Sequence, residues 1–236
     1  MIFAVSCGQN AQQKKSADAP QQEEVGEIEI DKPYQAAEAS ELAEELKAME
    51  AYKAILQNDL MFYNTENKKN YTLNEFNYDS SGEMEEPHIV HRYTFISLSG
   101  DEVESLVLEL SAGGVGAFEV LRYQEGTVYG FYFDYRALLD ITYNGTSFGS
   151  SGASDGSFSR LSIEKDVCKN ERLGYSESQS DGNVLYFIDD KKVTRSTYNE
   201  FESDMWRGMG DKEMIWYDYT EDNVASMLRF NERLPD

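Results

Sequence analysis

Apolar and polar positions alternate most legibly between residues 93 and 136, and the period is that of strands. Residues 93–110 read as two strands around a polar loop. Residues 117–136 read as a β-hairpin turning at Glu125-Gly126, where glycine accepts the positive φ of a two-residue turn. That turn alone sets a register. Val120 opposes Phe131, Phe118 opposes Phe133 and Arg122 opposes Tyr129 on one face. Glu119 opposes Tyr132, Leu121 opposes Gly130 and Ala117 opposes Asp134 on the other. The first face is almost wholly apolar and the second is mixed, as expected of a sheet that covers a core on one side.

Upstream the period becomes helical. Between residues 36 and 63, Leu42, Leu46, Met49, Tyr52 or Lys53, Ile55, Leu56, Leu60 and Tyr63 recur at three- and four-residue spacing, predicting a long amphipathic helix that packs on the sheet. Ser40 can cap it, and Glu41, Glu44 and Glu45 suit its positive end. Residues 64–87 read as an irregular connection with a short strand near 71–76. Downstream, Asn144-Gly145 predicts a hairpin, residues 150–157 a Ser/Gly/Asp loop, and residues 158–163 and 184–188 further strands, followed by a turn at 189–192. Thr197 and Glu200 form a capping box that opens a helix with Tyr198, Phe201 and Met205 on one face. A last helix starts at Thr220, with Val224, Met227 and Leu228 inward, while Trp206, Trp216, Tyr217 and Tyr219 form an aromatic cluster at a core edge. The fold class expected is α+β: a curved antiparallel sheet of about six to eight strands, packed with an N-terminal amphipathic helix and two C-terminal helices.

Charge narrows the partners. The chain has 236 residues, with 21 Lys plus Arg against 44 Asp plus Glu and a formal net charge of −23. Such a surface repels phosphate backbones, so nucleic acid is not expected as a partner. No run of about 18 apolar residues exists to span a bilayer as a helix. Gly113, Gly114 and Gly116 precede a strand and lack a following Lys-Ser/Thr, which excludes a phosphate cradle and leaves a flexible connection. The two cysteines, Cys7 and Cys168, lack CxxC spacing; Cys168 reads as a structural or semi-exposed thiol.

Ala4, Val5, Ser6 and Cys7 follow a short apolar stretch and resemble the end of a bacterial lipoprotein signal peptide, with Ala4 where that family usually has Leu. The resemblance implies lipidation of Cys7. Residues 9–32 are rich in Gln, Glu, Lys, Ser and Ala and cannot bury enough apolar surface to fold, which suits a tether. The expected organisation is a signal-peptide remnant at 1–7, a disordered polar tether at 8–37 and a single domain at 38–236.

The segments FISLSGDEVESLVLEL (95–110), SSGASDG (150–156) and YFIDDKKVTRSTYNEF (186–201), with the aromatic hairpin, are similar to uncharacterised surface lipoproteins of Gram-positive gut bacteria over most of residues 45–230. In that family a strand enters a DxDGDGxxE-like loop whose alternate carboxylates resemble calcium ligands. Here Ser97 and Ser99 stand at the first two Asp positions, Asp101 survives, Glu102 replaces the second Gly and Ser105 stands at the Glu. One carboxylate is too few, so no ion is expected.

The function these readings imply is a non-enzymatic, membrane-anchored extracellular domain, held at the cell membrane through its lipid alone. No cofactor, metal or catalytic residue is assigned. Its unidentified ligand is a glycan, peptide or envelope component, expected on the exposed side of the hairpin at Glu119, Tyr132 and Asp134, where one aromatic beside carboxylates suits a sugar. The alternative is an envelope hydrolase or metal-binding protein using His88 and His91 with Glu83, Glu85 and Glu86. Two His three apart on a strand point to opposite faces. A third reading is an intracellular protein with a disordered N-terminus.

Overall fold

The computed structural model describes residues 32–81, 86–98, 103–134, 136–152, 154–210 and 214–227. Cys7, loop positions Ser99, Asp101 and Glu102, the acidic residues Glu83 and Glu85, and Leu228 lie outside the described residues. The fold is α+β, with mostly antiparallel sheets and helices at both ends of the chain. Its strands divide between two sheets, of seven and six strands.

Helix α1 (Lys32–Leu56) is followed by strands β1 (Phe62–Asn64) and β2 (Lys69–Tyr71), helix α2 (Leu73–Asp79), β3 (Ile89–Ile96), β4 (Ser105–Ala112), β5 (Val115–Gln124) and β6 (Thr127–Phe133). Next come β7 (Asp140–Ile141), β8 (Thr146–Gly152), β9 (Asp155–Glu164), β10 (Val167–Ser178), β11 (Val184–Ile188) and β12 (Lys191–Val193). Helix α3 (Arg195–Gly210), β13 (Tyr217–Asp218) and helix α4 (Glu221–Ser226) complete the order. The first sheet has seven strands in the order β13-β3-β4-β5-β6-β1-β2, and the second has six, β12-β11-β10-β9-β8-β7. β1 joins β6 in parallel, with Tyr63 opposite Tyr129 and Asn64 opposite Gly130.

Turn chemistry set most of these pairings. Glu125 and Gly126 take φ of 50° and 82°, and the β5–β6 ladder runs in the register derived from them, from Gln124–Thr127 to Phe118–Phe133. Gly113 and Gly114, at φ 55° and 81°, form a tight β4–β5 turn where a flexible connection was expected. At Asn144-Gly145 the hairpin is right but its loop has three residues. Gly145 N–H bonds the Thr142 carbonyl at 2.9 Å and Gly145 alone takes positive φ, 76°. Within the stretch 150–157, expected as a loop, residues 150–152 and 155–157 are the ends of β8 and β9.

The helices also begin and end at local signals. Asn58, at φ 64°, closes α1, so the chain is strand and not helix by Phe62. α1 starts at Lys32, within the stretch expected as tether. Thr72 and Glu75 make a capping box that starts α2, where a strand was expected near 71–76. Thr194, not Thr197, caps α3: its Oγ accepts the Thr197 N–H at 3.2 Å.

The layers run helix, sheet, sheet, helix. One core lies between α1, α2, α4 and the first sheet, built on Tyr52, Ile55, Phe62, Phe76, Tyr93, Leu106, Leu108 and Leu121. Tyr52 Oη donates to the Glu104 carbonyl at 2.9 Å and accepts the Tyr123 N–H at 2.8 Å, tying the helix to the sheet. The N-terminal part of the predicted α1 stripe is not covered, with Leu42 52% and Leu46 42% exposed. A second core, Ile96, Val107, Val120, Phe131, Leu138, Ile141, Leu161 and Ile163, fills the space between the sheets. α3 lies on the outer face of the second sheet, where Phe201 and Trp206 meet Phe158 at centroid distances of 6.0 and 5.0 Å. The four aromatics expected to cluster are dispersed. Trp216 packs on Phe118, Tyr217 on Tyr93, and Tyr219 Oη bonds the Leu56 carbonyl at 2.7 Å.

Candidate functional site

The face of the β5–β6 hairpin that was expected to be open is covered. α1 and α2 lie over it, Phe62 of the neighbouring strand β1 reaches across it, and both faces of the first sheet are buried. The predicted ligand residues are therefore split: Glu119 is 0% exposed, Tyr132 is half-buried and Asp134 is exposed. Glu119 and Tyr132 face the core, not a ligand. A Cβ on Gly130 would overlap Glu119 Oε1 and lie 2.6 Å from the Phe62 ring, so the carboxyl and that ring fill the space a side chain at 130 would need.

A polar seam runs under α2 from this point. Neither Glu119 oxygen completes a hydrogen bond, nor does Asn64 Nδ2, although the Asn64 amide acts on the carboxyl. Burial pushes the Glu119 carboxyl well above the usual range, with the Asn64 amide opposing and Glu66 adding to the push. Tyr132 Oη lies 3.5 Å from His88 Nε2, and His88 Nδ1 shares a 2.9 Å hydrogen bond with Ser80 Oγ. Burial lifts the Tyr132 phenol to about 12, with Asp134, Glu119 and Glu66 adding to it, and depresses the His88 imidazole. His88 and His91 do not meet in one site. His88 is 5% exposed against Tyr132, whereas His91, at the β3 bulge, lies exposed with Nε2 2.6 Å from Ser111 Oγ. Among the described residues no group of three His, Cys, Asp or Glu could hold a metal ion. Cys168 packs into the inter-sheet core, and burial raises its thiol to about 12, which keeps it a thiol at neutral pH.

An open concavity lies elsewhere among the described residues. Along β9 the odd-numbered side chains face the first sheet: Leu161 and Ile163 fill the inter-sheet core, and Ser157 and Ser159 continue the same row beyond it. The paired strands match this change. On β8 the neighbours are Ser147 opposite Ser159 and Gly149 opposite Ser157; on β10 they are Arg172 opposite Ser159 and Tyr175 opposite Ser157. The sheets part here into a groove of ≈ 660 Å³, closed on its other side by Asp134, Arg136 and Ala137.

The groove is built firmly. The Arg136 carbonyl accepts the Ser150 N–H at 2.8 Å, and a Cβ on Gly149 would come 2.6 Å from the Ala137 carbonyl oxygen, so only glycine lets this strap approach β8. A bulge between Arg172 and Gly174 brings Arg172 and Tyr175 to one face. There the guanidinium lies 3.9 Å from the Tyr175 ring centroid, and Tyr175 stacks on Phe187 at 4.7 Å and 12°. Ser147 and Ser159 form the floor, and exposed Asn170 and Arg172 stand at the rim. The lining mixes hydroxyl, amide, guanidinium and carboxylate groups, which both donate and accept.

Of the predicted ligand residues, only Asp134 reaches this groove. Ser147, Ser157, Ser159 and Asn170 were not singled out by the sequence pattern. The available signal was Ser157-x-Ser159-x-Leu161-x-Ile163, a strand whose inward row turns from apolar to hydroxyl. No family model, curated protein or solved structure matches this chain.

Proposed function

We propose that this chain is a non-enzymatic domain, lipid-anchored through Cys7 on the outer side of the cell membrane, that binds a sugar in the groove between its sheets. The observation that carries the reading is the row change on β9, from Leu161 and Ile163 to Ser157 and Ser159. A sheet face beside a core is ordinarily apolar; hydroxyls there hold hydrogen-bonding capacity that a polyol can use. The polar lining gives little to an apolar ligand, and a net charge of −23 repels phosphorylated ones. Asp134, Asn170 and Arg172 supply planar polar groups at the edge, which suit paired sugar hydroxyls. Anchoring rests on the Ala4-Val5-Ser6-Cys7 resemblance and the polar stretch after it.

A glycan array probed with the chain and with Ser157→Leu tests the binding reading. Neutral glycans retained by the parent and lost by the variant, with an unchanged circular dichroism spectrum, are expected; retention by both would remove the groove as the site. Palmitate labelling that disappears in Cys7→Ala is expected of the anchor, and labelling unchanged by that substitution would contradict it.

A further inference from the structure

A separate recess lies on the outer face of the second sheet, between the ends of β8–β11 and the first turns of α3. Its volume is ≈ 500 Å³. Arg195, Tyr198, Asn199 and Glu202 line it, and their spacing of three, four and seven residues from Arg195 puts all four on one face of the helix. The sheet end facing them carries little bulk, with Gly152, Ser154 and Gly156 in the lining, and the rings of Tyr186 and Tyr198, 5.1 Å apart, supply an aromatic wall. Among the described lining residues two are charged, Arg195 and Glu202, and their signs are opposite. Two turns of helix hold them about 10 Å apart, too far to pair with each other. Arg195 is exposed and Glu202 is half-buried.

Charges so placed discriminate between ligand classes. An uncharged molecule filling the recess would strip water from both without replacing it, an anion would compensate Arg195 alone, and a cation Glu202 alone. A molecule with a carboxylate at one end and an ammonium at the other compensates both. Being neutral overall, it is not repelled by the net charge of −23. An extended chain rises about 3.3–3.6 Å per residue, so one amino acid cannot bridge about 10 Å, whereas two or three residues reach across with a hydrogen bond at each end. Asn199 lies between the two charges along the helix, and its amide both donates and accepts, as a peptide group requires. We propose that this recess is a second binding site, for a free peptide of two or three residues whose carboxylate meets Arg195 and whose ammonium meets Glu202. The site is independent of the groove and of its sugar.

The test is isothermal titration of the full chain with alanine and its free oligomers of two to six residues, and with the tightest binder acetylated at its N-terminus or amidated at its C-terminus. Arg195→Gln and Glu202→Gln are titrated alongside, each checked for the parent's circular dichroism spectrum. Affinity should peak at two or three residues, and each cap should weaken binding about tenfold, the loss of one charge-assisted hydrogen bond. Arg195→Gln should weaken the free peptide by a similar factor and bind free and amidated peptides alike. Glu202→Gln should treat free and acetylated peptides alike. No binding by any oligomer, an affinity without that peak, indifference to the caps, or a cap effect that persists in the matching variant overturns the site, and none of these outcomes touches the groove.

Discussion

Glu119 is a carboxyl sealed in the core with no hydrogen-bond partner on either oxygen, and the physical consequence is a stability that falls as pH rises. Its folded pKa is raised above the ordinary 4.5, chiefly by burial. Below the unfolded value both states hold the proton and the group is neutral to stability. Above it the unfolded chain releases a proton that the folded chain keeps, and folding loses about 1.4 kcal/mol per pH unit until the folded pKa is reached. For a domain of this size, Tm moves by about 2–4 °C per kcal/mol, so the loss reads as roughly 3–5 °C per pH unit. Glu119→Gln keeps the shape and removes the proton. His88, whose folded pKa is lowered by burial, adds an opposite slope below its ordinary 6.5, but it does so in both proteins and cancels in their difference. The assay is thermal melting by circular dichroism from acid to neutral pH. Glu119→Gln should be increasingly more stable than the parent as pH rises, the gap levelling off at the folded pKa of Glu119. Melting temperatures that run parallel across the range would refute the reasoning.

Two further outcomes follow from the packing. Tyr52→Phe removes the acceptor of the buried Tyr123 N–H and the donor to Glu104 O, and should cost about 1–3 kcal/mol, read as a lowered urea midpoint at unchanged m-value. Gly174→Ala would drive a Cβ into the Phe201 ring, costing about 1–3 kcal/mol by overpacking and shifting the fluorescence of Trp206, which shares the Phe158 contact. An unaltered midpoint in either variant contradicts the packing described.

Local signals were readable wherever the chain determines its own conformation. The β5–β6 register followed from Glu125-Gly126, and the last helix from Thr220, because a turn or a cap is decided by a few neighbouring residues. What covers a face is decided by distant ones. Glu119 on a mixed strand face reads as exposed, and only the packing of α2 and of the Phe62 side chain over it reverses that. Residues 150–157 look like a loop because Ser and Gly have low strand propensity, yet residues 150–152 and 155–157 pair through backbone groups indifferent to side chains. β10 was not foreseen because its polar run, solvated on much of its length, lacks the apolar alternation that marks a half-buried strand. The same two strands built from hydroxyls and glycine shape the groove, so the stretch least legible as structure carries the candidate site.

The most direct test of the account is a ¹H–¹⁵N correlation spectrum of the chain titrated with a neutral oligosaccharide. The groove reading predicts that the amide signals of Ser147, Gly149, Ser157, Ser159 and Asn170 move together and saturate, while those of Glu119 and Tyr132, behind the first sheet, stay in place. Shifts confined to the hairpin, or a spectrum that the sugar leaves unchanged, would contradict it.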